Sequence, residues 1–480
     1  MTTVNEAAPP ALPARQVRLV VLGALLGVLL SALDQTIVST ALPRVVADVG
    51  GIDDLPWVVT VYLLTSMATT PVWGKLADLY GPRGTFATAI GVFLAGSLLC
   101  GLAQGIGQLI AFRALQGLGG GGLFALALSI IGAVVPPADR GRYQGAFGAV
   151  FGLASVGGPV LGGGLADSLG WRWIFFVNLP VGLVSLATVW TTVRVPRTRR
   201  DHRIDVTGVV LILISVTALL LYLNWAGRTH GWTAPGSLAL LAIFVVAAVA
   251  LLAVESRAPE PILPPQLFRV PLVRVGGVFA FLSGFTMFSG VVYLPVYLQE
   301  VAGMSAARTG LAMLPLMLGI VATSMGSGML ISARGRYKPL VVTGAFLVLL
   351  GTLALTRIGT GTPYLFIGAA GLVFGAGVGL TMQPVITAVQ NSVPLQDIGA
   401  ATGSVNFLQR MGSVVGTALL GSVLSSRVAS GMADALSTVF LVAVPFAVLA
   451  AVVSMFLVEM RRPAAPGGAP AQPAAEAAGD

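Results

Sequence analysis

The sequence predicts an all-α polytopic membrane protein, with two six-helix pseudo-repeat halves plus two extra central helices, 14 transmembrane helices in all. Three observations predict it. Hydrophobic residues make up 56% of the 480 positions and charged residues only 9%, against about 25% charged in soluble domains. The apolar residues fall in runs about 20 residues long, the span of a helix across hydrocarbon. The chain also repeats itself, its two copies of a short motif lying 254 residues apart.

A surface with so few charges takes lipid, not water, as its solvent. A helix satisfies its own backbone polar groups there, whereas strands would need shorter, alternating segments. Fourteen apolar runs lie near 18–40, 55–75, 84–104, 107–135, 141–166, 173–193, 206–226, 236–254, 274–299, 309–332, 338–357, 362–389, 399–425 and 437–458. An even count puts both termini on one side. With the N-terminus inside, 19 of the 27 Lys and Arg fall in inner segments, among them Arg194, Arg197, Arg199, Arg200 and Arg203. Six fall in outer loops, and Arg113 and Arg410 fall inside runs. The positive-inside rule then predicts cytoplasmic N- and C-termini.

Gly74-Lys75-Leu76 is followed by Gly81, and Gly328-Met329-Leu330 by Gly335 at the same spacing. Leu42-Pro43 and Leu294-Pro295 echo each other similarly. The predicted organisation is a cytoplasmic tail over 1–16, a six-helix bundle over 17–195, a linker with two extra transmembrane helices over 196–260, a second six-helix bundle over 261–460 and a disordered tail over 461–480. Related halves around a central cavity suit alternating access.

Other function classes find little support. The net charge of +9 resides in short loops between apolar runs, so no nucleic-acid partner is expected. Cys100 is the single cysteine, and His202 and His230 are far apart, so no metal site or cofactor is expected. There is no catalytic triad or phosphate loop, which argues against an enzyme or direct ATP coupling. Residues 1–16 lack the apolar core of a signal peptide. The Ala- and Pro-rich tails point to a high-GC bacterial source and the cytoplasmic membrane.

Several motifs follow one another in order. They are Leu33-Asp34-Gln35-Thr36-Ile37-Val38 with Ala41-Leu42-Pro43, Gly74-Lys75-Leu76-Ala77-Asp78-Leu79-Tyr80-Gly81-Pro82-Arg83, Arg113-Ala114-Leu115-Gln116-Gly117, Gly157-Gly158-Pro159-Val160-Leu161-Gly162-Gly163, and Trp171-Arg172-Trp173-Ile174-Phe175-Phe176-Val177-Asn178-Leu179-Pro180. Together they resemble the major facilitator superfamily, in its fourteen-span branch of drug:proton antiporters, over about residues 15–460. The resemblance implies a monomeric multidrug efflux protein that exchanges protons for small lipophilic substrates. It departs at Leu79 and Pro82, where family loop motifs carry basic residues; Asp78 and Arg83 remain.

Asp34 is the one carboxylate deep inside a predicted span, so it should face the bundle interior or water. Burial penalises its charge, so it can take up and release a proton, and a cationic substrate would compete for it. Arg113 is its natural counter-charge, with Gln116 and Gly117 on the same helix face. Arg410 is similar in kind, with packing and gating as alternatives. Gly148, Gly152, Ser155, Pro159 and Gly162 share one face of the fifth run and suit a close-packed seal, with Gly158 in the same motif. The Gly119–Gly122 run reads as close packing or flexibility. Gly74, Asp78, Gly81, Arg83 and Arg142, with Asp139 and Arg140, predict a gate at the inner loops, held by ion pairs acting together because each exposed pair contributes only about 0–1 kcal/mol. Tyr62, Gln116, Phe288, Tyr293, Gln383, Asn406 and Gln409 are the candidate substrate residues. The leading expectation is proton-coupled export of lipophilic, often cationic molecules. Export of a lipid or endogenous metabolite is the alternative, favoured by a wide lateral opening near runs seven and eight. A non-transporting receptor or scaffold would need neither a buried Asp34 nor the gate motif.

Overall fold

The computed structural model describes residues 14–49, 55–136, 139–192, 205–225, 231–258 and 261–459, and among these it is helical throughout apart from turns and short connections. Residues 1–13 of the expected N-terminal tail, the expected C-terminal tail and the arginine-rich segment holding Arg194, Arg197, Arg199, Arg200 and Arg203 lie outside the described residues, while residues 14–16 already belong to the first helix. The first seven helices are α1 (Ala14–Val49), α2 (Leu55–Tyr80), α3 (Pro82–Gly101), α4 (Ile106–Val134), α5 (Arg140–Ser168), α6 (Trp173–Phe176) and α7 (Asn178–Thr192). Two more follow, α8 (Val206–Trp225) and α9 (Pro235–Glu255). The last seven are α10 (Pro271–Glu300), α11 (Ala306–Ala312), α12 (Leu314–Arg334), α13 (Lys338–Leu355), α14 (Tyr364–Ser392), α15 (Ile398–Arg427) and α16 (Met432–Met455).

Every predicted apolar run coincides with one helix, or with a consecutive pair in α6–α7 and α11–α12. Eleven segments among the described residues are long and apolar enough to cross a bilayer. Apolar stretches in α5 (Gly145–Ala154) and α8 (Thr207–Leu223) are shorter. The reason for α5 lies in its packing. It is clasped between α1 and α12, so it is solvated by protein on two sides and needs less apolar surface.

Prolines shape several of these rods. Pro71, Pro295, Pro384 and Pro445 lie inside α2, α10, α14 and α16. Each removes one helical hydrogen bond, which favours a bend. The internal repeat is visible in the backbone as well. Gly81 and Gly335 both have positive φ, 86° and 68°, at equivalent turns. A side chain would be strained at both, which explains why this part of the motif recurs as glycine.

Helices α1–α7 pack mainly on one another, as do α10–α16. The two halves meet chiefly through α5 against α12 and α2 against α15. The α2–α3, α4–α5, α12–α13 and α14–α15 junctions share one end of the bundle, here named the basic end; the opposite end is the distal end. Helix α8 lies over the seam, setting Ile212, Val216 and Leu220 against Leu64 and Ala68 of α2 and Phe407 of α15. Helix α9 packs on α8 and leaves Val246, Val249 and Leu252 exposed, as a lipid-facing helix would.

Within the second half, a Cβ at Gly375 would overlap the Leu316 carbonyl oxygen, whereas one at Gly326 would meet nothing. Gly375→Ala should therefore cost about 1–3 kcal/mol through overpacking, and Gly326→Ala should be neutral or slightly stabilising. Thermal unfolding in detergent checks this; equal melting temperatures would contradict the packing described.

Candidate functional site

The centre of the first half holds a sealed charge pair. Asp34 of α1 and Arg113 of α4 are both at most 1% exposed, and Arg113 Nη1 donates to Asp34 Oδ2 at 2.7 Å. The other carboxylate oxygen, Oδ1, accepts from Gln116 Nε2 at 2.9 Å and Asn178 Nδ2 at 3.1 Å. Gln116 Oε1 in turn accepts from Arg113 Nη1 at 2.8 Å. Arg113 Nε donates to the Val58 carbonyl of α2 at 3.2 Å. Ser97 of α3 closes the network, accepting from Gln116 and Asn178 and donating to the Phe175 carbonyl at 2.9 Å. The Arg113 guanidinium also lies over the Tyr62 ring, 4.1 Å from its centroid, a contact that attracts a cation to an aromatic face.

Local sequence explains how these groups meet. Gly96 has no side chain, so α3 approaches the backbone of Gln116 itself. Gly117, Gly120 and Gly121 admit α2 in the same way, and Gly119 admits α3. Thus the Gly119–Gly122 run is a packing surface. The break between α6 and α7 aims the Phe175 carbonyl at Ser97 and places Asn178 at the start of α7.

The basic end is closed by a second cluster. Gly74 of α2 packs on the backbone of Gly399 in α15, where a Cβ would sit 2.5 Å from the carbonyl oxygen. One turn further on, Asp78 accepts from the backbone N–H groups of Gly399 at 2.8 Å and Ala400 at 2.6 Å. A carboxylate there satisfies free donors of the first helical turn and complements its partial positive charge. Arg140 donates to Asn391 Oδ1 at 2.7 Å and to the carbonyls of Gln390, Val135 and Gly132. The backbone N–H of Arg142 donates to Ser332 Oγ at 3.1 Å. Gln390 donates to the Leu128 carbonyl at 3.1 Å.

A family model described as Major Facilitator Superfamily matches residues 24–417. The chain belongs to the Major Facilitator Superfamily. It is 40% identical, over 88% of its length, to an uncharacterized MFS-type transporter of Mycobacterium tuberculosis, of which it spans 61%. It is 36% identical to the multidrug transporter protein MdtP of Bacillus subtilis, covering 87% of this chain and 77% of that one. It is 36% identical to multidrug resistance protein 3 of the same species, covering 88% and 82%. Among solved structures, the proton:xylose symporter XylE superposes with a TM-score of 0.68 at 18% identity, covering 93% of this chain and 97% of the other. The family it belongs to is one of polytopic membrane transporters.

Seen in this superfamily member, the motifs divide by role. Asp34, Arg113 and Gln116 come together, joined by Asn178 and Ser97, which residue-by-residue reasoning missed. Asn178 stands inside the sixth-run motif; only Ser97 carries no signal of its own. Trp171 and Arg172, from the same motif, clamp Asp48 beyond the apolar part of α1, at 2.9 and 2.6 Å. These two hydrogen bonds, Trp171 first, hold the Asp48 carboxyl below its ordinary range.

The gate predicted from ion pairs needs correction. Asp78 engages backbone N–H groups instead of arginine, because the first turn of α15 lies directly opposite it. Arg83 stays within its own half, 4.6 Å over the Trp190 ring. Pro82, in place of a basic residue, begins α3, where its missing N–H is harmless. The α5 glycines also split between two neighbours. Gly148 and Gly152 face Ser324 and Val321 of α12, while Gly158 lies on Thr36 of α1. Gly162 is buried, and the side chains of Ser155 and Pro159 lie outside those described.

The candidate substrate residues are divided between the two halves. Tyr62 and Gln116 belong to the charge network. Phe288 packs half-buried in the second half, and the Tyr293 hydroxyl donates to the Thr417 carbonyl at 2.8 Å. Asn406 donates to Thr402 in its own helix, and Gln383 and Gln409 are buried.

Removing one member of a buried ion pair leaves the other uncompensated, a loss of about 3–5 kcal/mol. Asp34→Leu should therefore destabilise the protein more than the double change Asp34→Leu/Arg113→Met. A double-mutant cycle of unfolding free energies, showing strong coupling between the positions, is the expected result.

Proposed function

We propose that the chain is a fourteen-span, proton-coupled exporter of lipophilic small molecules in a bacterial cytoplasmic membrane, working by alternating access as a drug:proton antiporter. The observation that carries this reading is the Asp34–Arg113 pair, sealed in the membrane-embedded centre of a transporter. An ionisable pair is costly there and is retained where protons or substrates pass. Protonation of Asp34 removes the negative partner of Arg113 and frees Gln116 and Asn178 from the same carboxylate. That rearrangement is the switch, since the network ties α1, α3, α4 and the α6–α7 break together.

The positive-inside bias makes the basic end cytoplasmic. With that end latched, the arrangement is the one that faces outward. Asp78 on the first turn of α15, the Gly74–Gly399 contact and the Arg140 contacts are the cytoplasmic gate. Opening it exchanges these hydrogen bonds for water, so the barrier stays modest even though several bonds break. The multidrug relatives support efflux as the direction of transport. Helix α8 covers the α2–α15 seam with apolar side chains, which counts against lipid entry on that side.

Two measurements test this. In proteoliposomes under an imposed pH gradient, wild type should move lipophilic dyes and Asp34→Asn, matched for melting temperature, should move them at least tenfold more slowly. Equal gradient-driven rates would rule out Asp34 as the coupling acid. Spin labels at Tyr80→Cys and Leu395→Cys, both exposed at the basic end, report the gate. Asp78→Asn should lose about 1–3 kcal/mol of latch energy and populate a longer inter-label distance.

A further inference from the structure

We propose that the molecule carried is an amphipathic organic anion, a carboxylate or sulfonate, and that Arg410 is its anchor. The proposal takes the transport reading above as given and names the charge of the cargo. Among the described helices, three charged side chains lie more than six residues from a helix end: Asp34, Arg113 and Arg410. The first two neutralise each other inside the first half. Arg410 has no such partner.

Arg410 sits mid-way along α15 and reaches across the seam. Its one hydrogen bond among the described residues runs from Nη1 to Ser66 Oγ of α2, at 3.4 Å. No carboxylate lies within ion-pair distance of it among those residues. Ser66 and Tyr62, its neighbours on α2, are completely buried, yet Arg410 itself keeps part of its surface accessible. A guanidinium this deep, with one long hydrogen bond and no carboxylate beside it among the described residues, has donors left over for an anion's oxygens. Its planar fork of donors matches the paired oxygens of a carboxylate or sulfonate.

The surroundings suit the rest of such a molecule. Met411 and Val414 of α15 are half-buried members of the apolar cluster that Met67, Phe407 and helix α8 close, so an apolar body reaches them as that cluster repacks. Methionines and aromatics there accommodate varied apolar bodies. A cation entering this seam meets an uncompensated positive charge instead. The carboxylate it would need, Asp34, is completely enclosed and already accepts three hydrogen bonds.

The charge of the cargo changes the energetics of exchange. A monovalent cation leaving as one proton enters moves no net charge. A monovalent anion leaving as one proton enters moves two positive charges inward, so the membrane potential drives it directly.

Taurocholate, an amphipathic sulfonate, and ethidium, a lipophilic cation, separate the two cases. Equilibrium binding to the purified full chain should detect taurocholate. Its Kd should rise at least tenfold in Arg410→Gln and less in Arg410→Lys, while ethidium binding does not weaken. Arg410→Met replaces Arg410→Gln if the latter fails to fold. In proteoliposomes at equal pH, an interior-negative potential set with potassium and valinomycin should accelerate taurocholate efflux. Failure of wild type to bind taurocholate, or an unchanged Kd in the neutral variants, would overturn the proposal. So would ethidium binding alone. Arg410-dependent taurocholate binding without proton-coupled flux would uphold the anion site and refute the antiport reading instead. Gradient-driven ethidium flux with no Arg410-dependent taurocholate binding would do the reverse.

Discussion

The structure of the first half depends on keeping one carboxylate charged away from water. Asp34 is stable there only because three donors from two other helices converge on it, Arg113 and Gln116 from α4 and Asn178 from α7. Each donor is in turn held by a further contact. Ser97 bridges Gln116 and Asn178, Val58 accepts from Arg113, and Tyr62 lies beneath the guanidinium. Apart from the Tyr62 hydroxyl, which has no hydrogen-bond partner among the described residues, the network's polar groups are paired, and one missing member is costly. That same property suits the switch proposed for it, because a single proton on Asp34 would alter the interactions of all the others.

The closure at the basic end follows a different principle. It uses the Asp78 carboxyl on backbone N–H groups and arginine on carbonyls, with glycine bringing the backbones into contact. Such groups are equally well satisfied by water, which suits the reversible gate proposed there. A gate made of buried ion pairs would be harder to open, since each charge would need rehydration in step with its partner. The central pair and the latch thus have opposite requirements, one sealed from solvent and one ready to meet it.

Arg410 and α8 give the seam its character. Helix α8 adds apolar cover where α2 and α15 meet, so the accessory pair shields one side of the seam from lipid. Inside that cover the Arg410 guanidinium reaches from one half to the other. In the proposed exchange cycle, rocking the halves would change its surroundings and so link its occupancy to the conformational state.

Much of this was legible in the chain itself. Charge scarcity and run length required membrane helices, and the Gly74 to Gly81 and Gly328 to Gly335 spacing exposed the repeat, because positive φ tolerates little but glycine. Asp34 and Arg113 stood out because charge within a long apolar run has few inexpensive explanations. What sequence could not supply was direction and partnership. The loop charges near Asp78 suggested ion pairs, yet the first turn of α15 lies opposite it, a contact across 321 positions. Ser97 is one serine among many until α3, α4 and α7 bring it between two amides. Arg410 reads as another intramembrane arginine until its surroundings show that, unlike Arg113, it pairs with no acid among the described residues. Side-chain chemistry is local and can be read along the chain; the partner that decides its role is chosen by packing.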